Sequence, residues 1–376
     1  MLLGYGAKNA WSFKEGIEID LRLNDLVPED VSMKLPAATA MCFKGPNAAG
    51  KTNALKILAF IVDYIINSFQ YKPDALILYD SYFLNEEQSD FYIDFELNGS
   101  EYSYDFSTTQ KNILTEKFQK DGEILFERKN DKIIVNKIYQ GHEDIIFRNN
   151  ASFFSTIYQY GISEIKEIYT FFENMLMNVT YTGLYNIDRM DYRAISELYD
   201  KKPKMLEFVK KIISKFDTGV NDIIIQNKKT EVEDLYYPLF IHIDESGDKL
   251  PLLFQMESKG TQSLFCMLSR YYAALERGSV LVIDEFEEYL DPDILPELLY
   301  LFIKKENNTK NAQILFSNHN VEIMDTCGRY RTYLFQKNNN ASFCYRLDEV
   351  PKLRNDRPVS KSFRKHLIGG YTRIGE

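Results

Sequence analysis

Four clusters of residues have the types and spacing to handle a phosphorylated ligand. The first is GPNAAGKTN, residues 45 to 53. Gly45 and Gly50 permit the tight backbone turn that aims N–H groups at phosphate oxygens, with Pro46, Asn47, Ala48 and Ala49 between them. Lys51 is placed to contact the β- and γ-phosphates and Thr52 to offer its hydroxyl to Mg²⁺, with Asn53 closing the stretch. The second cluster is SVLVIDEFEEYLD, residues 279 to 291. An apolar run ending in Asp284 carries that acid to the phosphates, where it would hold Mg²⁺ through water. Glu285 beside it would polarise an attacking water as general base, whereas Glu287 and Glu288 read as solvated charges at a helix start.

The third cluster is ESKGTQSLF, residues 257 to 265, where Ser258 and Gly260 precede a helix expected from about Thr261. A hydroxyl, a glycine and a helix N-terminus make a second anion-binding device. One chain needs one γ-phosphate cradle, so a second points to the nucleotide of another copy. The fourth is ILFSNHNVEIMD, residues 314 to 325, in which His319 follows a buried strand. An imidazole there can reach a γ-phosphate or the attacking water.

These groups need particular elements to position them. AMCFKG is a short apolar strand running into Gly45, and Leu55, Ile57, Leu58, Ile61 and Ile65 have helical spacing after it. Strand, glycine-rich loop and helix is the setting a phosphate loop requires. IEIDLRL alternates, and FYIDFELNGSEYSYDF places two alternating runs around Asn98-Gly99, a strong hairpin signal. EILFERK and KIIVNKIY extend an antiparallel sheet. Residues 151–217 read as a helical insertion, with SEIKEIYTFFENMLM and KMLEFVKKIISKF apolar at three- and four-residue intervals. DLYYPLFIHID, SVLVID and AQILFSN are strands; SLFCMLSRYYAALERG and ILPELLYLFIKK are helices. The expected division is 1–150 as an N-terminal lobe, 151–217 as the insertion and 218–376 as a C-terminal lobe.

Composition excludes several classes. A net charge of −10 argues against a chain coated for nucleic acid, although lysines at 201, 202, 204, 210, 211 and 215 could form a local patch. Cys42, Cys266, Cys327 and Cys344 fit neither a zinc pattern nor a disulfide ladder and read as free thiols in a reducing compartment. The first twenty residues are too polar for a signal sequence. The apolar run LKILAFIVDYIINSF contains Asp63 and reads as a buried helix, so a cytoplasmic chain with no membrane partner is expected.

Taken together, the four motifs resemble the ATP-binding-cassette ATPases, in the branch of RecF, SMC and OLD-like proteins. GPNAAGKTN matches that branch's Walker A, SKGTQ its signature with Lys259 where transporters carry glycine, DEFEEYLD its Walker B and D-loop ending at Asp291, and SNHN its switch-histidine loop. KNAWSFKE resembles the strand pattern preceding the P-loop, with Ala10 and Trp11 replacing the usual Phe and Arg; for the Q-loop glutamine the candidate is Gln88. The resemblance implies an α/β P-loop fold of the ABC-ATPase head type, with an antiparallel β subdomain and a helical insertion. It implies ATP and Mg²⁺ as cofactors and Glu285, His319 and Lys51 as catalytic groups. It also implies a homo-oligomer whose ATP lies between subunits, with Ser258 and Gly260 supplied across the interface and Asp291 among the nucleotide-binding residues.

OLD-like relatives carry a nuclease domain, for which the 57 residues after His319 are too few. The expected output is therefore control of a separate effector, a nuclease or toxin encoded nearby, in phage defence. A DNA-binding repair ATPase and a non-hydrolysing ATP-bound scaffold are the alternatives.

Overall fold

The strand Ala40–Lys44 is apolar on both faces, as a strand covered on both sides must be. Met41 and Phe43 turn to one core, Ala40 and Cys42 to another. Its neighbours extend this partition into a six-stranded sheet. The order is Ala341–Arg346, Thr332–Asn338, Ala40–Lys44, Gln313–Asn318, Val280–Ile283 and Leu176–Met177. The last five run parallel, and Ala341–Arg346 closes the edge as an antiparallel hairpin. The computed structural model describes residues 1–376 apart from 131, 140–144, 185–190, 218, 230–233, 352, 354–357 and 371–376.

One face of this sheet packs on the helix Lys51–Asn67, whose far side meets a seven-stranded antiparallel sheet built from residues 2–8, 17–20 and 89–136. Because it is enclosed from two directions, this helix is apolar nearly all round. The stretch Lys51–Gln70 is long and apolar enough to cross a membrane by composition, yet here it is a central core helix. Phe60 on it lies among Tyr64, Tyr79, Phe91 and Phe106, with centroids 4.9–6.2 Å away. The chain's abundant aromatics thus fill this core. Asn98 and Gly99 both adopt positive φ between strands Ser89–Leu97 and Ser100–Thr108, the two-residue hairpin that the sequence announces.

The other face of the parallel sheet carries the helices Pro203–Phe216, Lys259–Arg277 and Ile294–Ile303. Gly278, at φ 69°, caps Lys259–Arg277 where a side chain would be strained. A three-stranded antiparallel sheet (222–229, 234–243, 249–253) leads into that helix. All four cysteines are free, three of them buried.

The segment 151–217 is not uniformly helical. Helices Phe153–Gln159 and Lys166–Glu173 pack with the P-loop helix, whereas Tyr192–Lys201 and Pro203–Phe216 pack with the helix Lys259–Arg277. Between them Leu176–Met177, expected as the end of a helix, pairs with Leu281 and Val282 as the edge strand of the parallel sheet. Two apolar side chains complete a buried sheet edge there, which outweighs the helical periodicity before them.

Candidate functional site at the carboxyl ends of the parallel strands

Three neighbouring strands end together. Register pairs Cys42 with Phe316 and Phe316 with Ile283, so Gly45, Ser317–His319 and Asp284–Glu285 emerge side by side. Carboxyl ends of parallel strands are where open α/β sheets place ligands.

After Gly45 the chain turns through Ala48 at φ 60° and Gly50 at φ 108°, and the helix begins at Lys51. A Cβ on Gly45 would lie 2.6 Å from the Phe335 carbonyl oxygen, and one on Gly50 2.7 Å from Ser342 Oγ. Both glycines are therefore required for packing against the neighbouring hairpin as well as for the turn. Pro46 is half-buried, Asn47 and Ala48 are exposed, and Ala49 is buried. Lys51 is buried and donates to the carbonyls of Gly45 and Pro46 at 2.9 and 3.0 Å. Burial, with Lys44 nearby, lowers its pKa to about 8, although Asp284 and Glu287 pull the other way. A cation so poorly solvated gains from an arriving phosphate.

Thr52 is half-buried in the first turn of the helix. Asn53, expected at the ligand, instead donates to Ser12 Oγ at 2.8 Å, and the Ser12 carbonyl accepts from Ser342 N at 2.7 Å. The turn at residues 9–13 thus braces the loop from behind. Trp11 is part of that brace: its ring lies under Lys56 at 5.3 Å and its backbone N–H donates to the Asp80 carbonyl at 2.7 Å.

Asp284 is buried, and Oδ1 accepts from the Ser317 hydroxyl. That hydroxyl oxygen in turn accepts from Glu285 N at 2.9 Å. Glu285 has φ 56°, and this left-handed turn exposes its carboxylate while Phe286 returns to the core against Phe316. His319 is exposed at the rim; partial loss of hydration, with Lys51 and Lys44 nearby, lowers its pKa from the ordinary 6.5. The imidazole is therefore neutral at pH 7. Asp291 is exposed in the following loop, where Oδ1 accepts from Asp293 N at 2.9 Å.

The structure brings Lys51, Thr52, Asp284, Glu285 and His319 to one corner. Ser258 and Gly260 stand at the start of Lys259–Arg277 on the other side of the sheet. Ser258 is exposed, and its Oγ accepts from Thr261 N at 3.1 Å, so it caps its own helix. Gly260 sits against the Tyr289 carbonyl, 2.9 Å from where a Cβ would stand.

Two expectations are corrected. Glu287 is not a solvated charge: it is largely buried, and Oε1 accepts from His319 N at 2.5 Å. Burial raises its pKa. Gln88 stands directly before the strand Ser89–Leu97 of the antiparallel sheet, donating to Asp90 at 2.6 Å. An amide side chain that does hold Asp284 is Asn178, directly after the edge strand. Its Nδ2 donates to the Asp284 carbonyl at 3.0 Å and its Oδ1 accepts from Asp284 N at 2.7 Å. The only sequence signal for it was a polar residue closing the short apolar run MLM.

The residues suit Mg²⁺ and a nucleotide. Asp284 and Thr52 are hard oxygen donors, and among the described residues no group of three or more His, Cys, Asp or Glu could cage a metal. Mg²⁺ characteristically takes one or two protein oxygens and completes its shell with phosphate and water.

The strand order and the three converging loops define a fold of the ABC-ATPase head type, mixed α/β with antiparallel sheets. The chain belongs to the family described as "AAA domain, putative AbiEii toxin, Type IV TA system", whose model matches residues 40–325. Comparison with curated proteins returned no match. Among solved structures, a SmcHead bound to the C-winged helix domain of ScpA is similar in fold, with TM-score 0.53 and 12% identity over 93% of this chain and 99% of that one. The SMC head domain from Thermotoga maritima gives TM-score 0.46 and 14% identity over 92% and 98%. A Pyrococcus furiosus Smc head with an extended coiled coil gives 0.49 and 11% over 93% and 97%.

Proposed function

We propose that this chain is a Mg²⁺-dependent, ATP-hydrolysing switch whose ATP-bound form associates through two composite sites. In this reading Lys51 and the loop amides of residues 45–50 hold the phosphates, and Thr52 and Asp284 hold Mg²⁺. When bound, Mg²⁺ neutralises charge on the phosphate oxygens. Glu285 accepts the proton of the attacking water, and neutral His319 hydrogen-bonds at the γ-phosphate. Ser258 and Gly260 of a second copy close the site, with Asp291 beside them.

The observation that carries this reading is the self-capped, exposed helix start at Ser258, standing apart from the phosphate corner of its own chain. The family description, which names a putative toxin of a Type IV toxin–antitoxin system, supports placing the switch in such a module; control of a separate effector protein in phage defence, in the cytoplasm, is the further part of this proposal. Lobe 1–150 would supply the phosphate loop, lobe 218–376 the acids and His319 of the same corner together with the Ser258 region, and 151–217 would be the insertion between them.

Sedimentation of the Glu285→Gln chain with ATP and Mg²⁺ tests association, with dimer expected only when nucleotide is present. A chain that stays monomeric at all ATP concentrations sinks the switch reading. Cleavage of DNA or RNA by the purified chain alone would remove the need for a separate effector. A DNA-binding role, which the SMC-like fold also suits, predicts salt-dependent affinity. Three of the candidate lysines, Lys201, Lys210 and Lys215, already face Glu197, Asp222 and Glu297, which weakens that role.

A further inference from the structure

We infer that Lys44 and Glu287 form a bracket that grips the backbone of His319 and thereby sets its imidazole at the ATP site. This inference rests on the ATPase reading above and adds two positioning residues to it. Lys44 Nζ donates to the His319 carbonyl oxygen, and Glu287 Oε1 accepts from the His319 N–H at 2.5 Å. Both polar backbone groups of one residue are thus held by side chains of opposite charge. The two arrive from different site loops, since Lys44 directly precedes Gly45 and Glu287 lies two residues after Glu285.

The local backbone explains how they meet. Register pairs Asn318 with Lys44, so the chain leaves the sheet at His319 directly beside the end of the P-loop strand. After Asp284 the left-handed turn at Glu285 sends Phe286 inward and brings Glu287 back beneath His319. The turn is fastened by two further bonds to the same strand, Glu285 N to Ser317 Oγ at 2.9 Å and Phe286 N to Ser317 O at 3.0 Å.

Packing alone does not account for these residue types. The preceding positions on this face of the two strands, Ala40, Cys42, Ile314 and Phe316, belong to an apolar core. Lys44 and Asn318 interrupt that stripe where it reaches the site, at 4% and 0% exposure. Burying an ammonium group costs more than burying an aliphatic side chain of similar volume, even with a carboxylate nearby. Glu287 Oε2 and both polar atoms of the Asn318 amide are buried without a partner, so the nest beneath His319 keeps spare polar capacity. Phe363 of the C-terminal helix Val359–Arg364 lies 5.4 Å from Lys44 Nζ and covers the bracket from outside. Because the bracket ties His319 to the P-loop and to the Walker B turn, movement of either displaces the imidazole.

The test has two arms on the full chain. Amide hydrogen exchange of residues 317–320 is measured without nucleotide in wild type, Glu287→Ala, Glu287→Gln and Lys44→Met. Glu287→Ala should speed exchange at His319 about tenfold or more, whereas Glu287→Gln, which keeps an acceptor oxygen, should restore most of the protection. The second arm measures single-turnover ATP hydrolysis and ATP affinity separately. Glu287→Ala and Lys44→Met should lower the rate about tenfold with affinity within about threefold. Glu287→Ala combined with His319→Ala should be no slower than His319→Ala alone. Unchanged exchange in Glu287→Ala, or additive losses in the double variant, overturns the bracket. A wild type without turnover refutes the hydrolytic reading alone, and the exchange arm still decides whether the bracket holds His319. If Glu287→Ala fails to fold, Lys44→Met carries both arms, and normal exchange and a normal rate in that variant overturn the inference.

Discussion

The two candidate phosphate-binding regions differ in how much of their chemistry is already satisfied within one chain. At the P-loop corner Asp284 is engaged by Ser317 and Asn178 and His319 by Glu287 and Lys44, residues distant in the sequence, while Lys51 is held by the loop itself and the Asn318 amide keeps spare polar capacity. At the signature region the exposed Ser258 hydroxyl bonds within its own turn to Thr261, which is itself buried and donates to Asp217 at 2.6 Å. In the proposed reading the first region would bind the nucleotide with its groups already oriented, as electrostatic stabilisation of a charged transition state requires. The second would close on the nucleotide of another copy, so that ATP would act as the contact between subunits.

The comparison can be broken by substitutions confined to one region. Glu285→Gln should give the largest effect, a loss of about 10²–10⁴ in the hydrolysis rate with ATP binding retained, read by phosphate release. Lys51→Ala should weaken ATP affinity about a hundredfold in a titration, because the buried cation facing the phosphates is gone. Ser258→Arg, at the exposed cap, should leave ATP affinity of the monomer within about twofold while lowering turnover and association about tenfold or more. If instead it abolishes ATP binding by the monomer, the two regions are not separable and the composite site is wrong.

Smaller effects sharpen the contrast. Asn178→Ala removes two buried hydrogen bonds to Asp284 and should cost about 1–3 kcal/mol in denaturant unfolding. Lys51 also gives the nucleotide-free protein a pH dependence. Its folded pKa is about 8, below the ordinary 10.5, so between these values the unfolded chain binds more protons. Stability should therefore rise as pH increases from about 8 towards 10.5, and Lys51→Met should flatten that rise by about 1–2 kcal/mol in pH-dependent melting.

Much of this architecture was legible in the sequence because its signals are local. The P-loop helix, the strands AMCFK, VLVI and QILFSN, and the Asn98-Gly99 hairpin follow from periodicity and from glycine at left-handed positions. Misreadings occurred where a polar residue's role depended on a distant partner. Glu287 looked solvated and sits under His319. The pair Leu176–Met177 kept a helical spacing but was claimed by the sheet edge.

The sequence by itself determined which residues can turn tightly, coordinate phosphate and carry a proton, because those demands lie within a few consecutive residues. Only the tertiary structure decided that Asn178 clamps Asp284 and that Lys44 and Glu287 hold His319, across separations of 106, 275 and 32 positions. Such pairs are set by strand register and by the burial of groups that must find partners once water is excluded. Neither condition leaves a mark on the residues next to them in the chain.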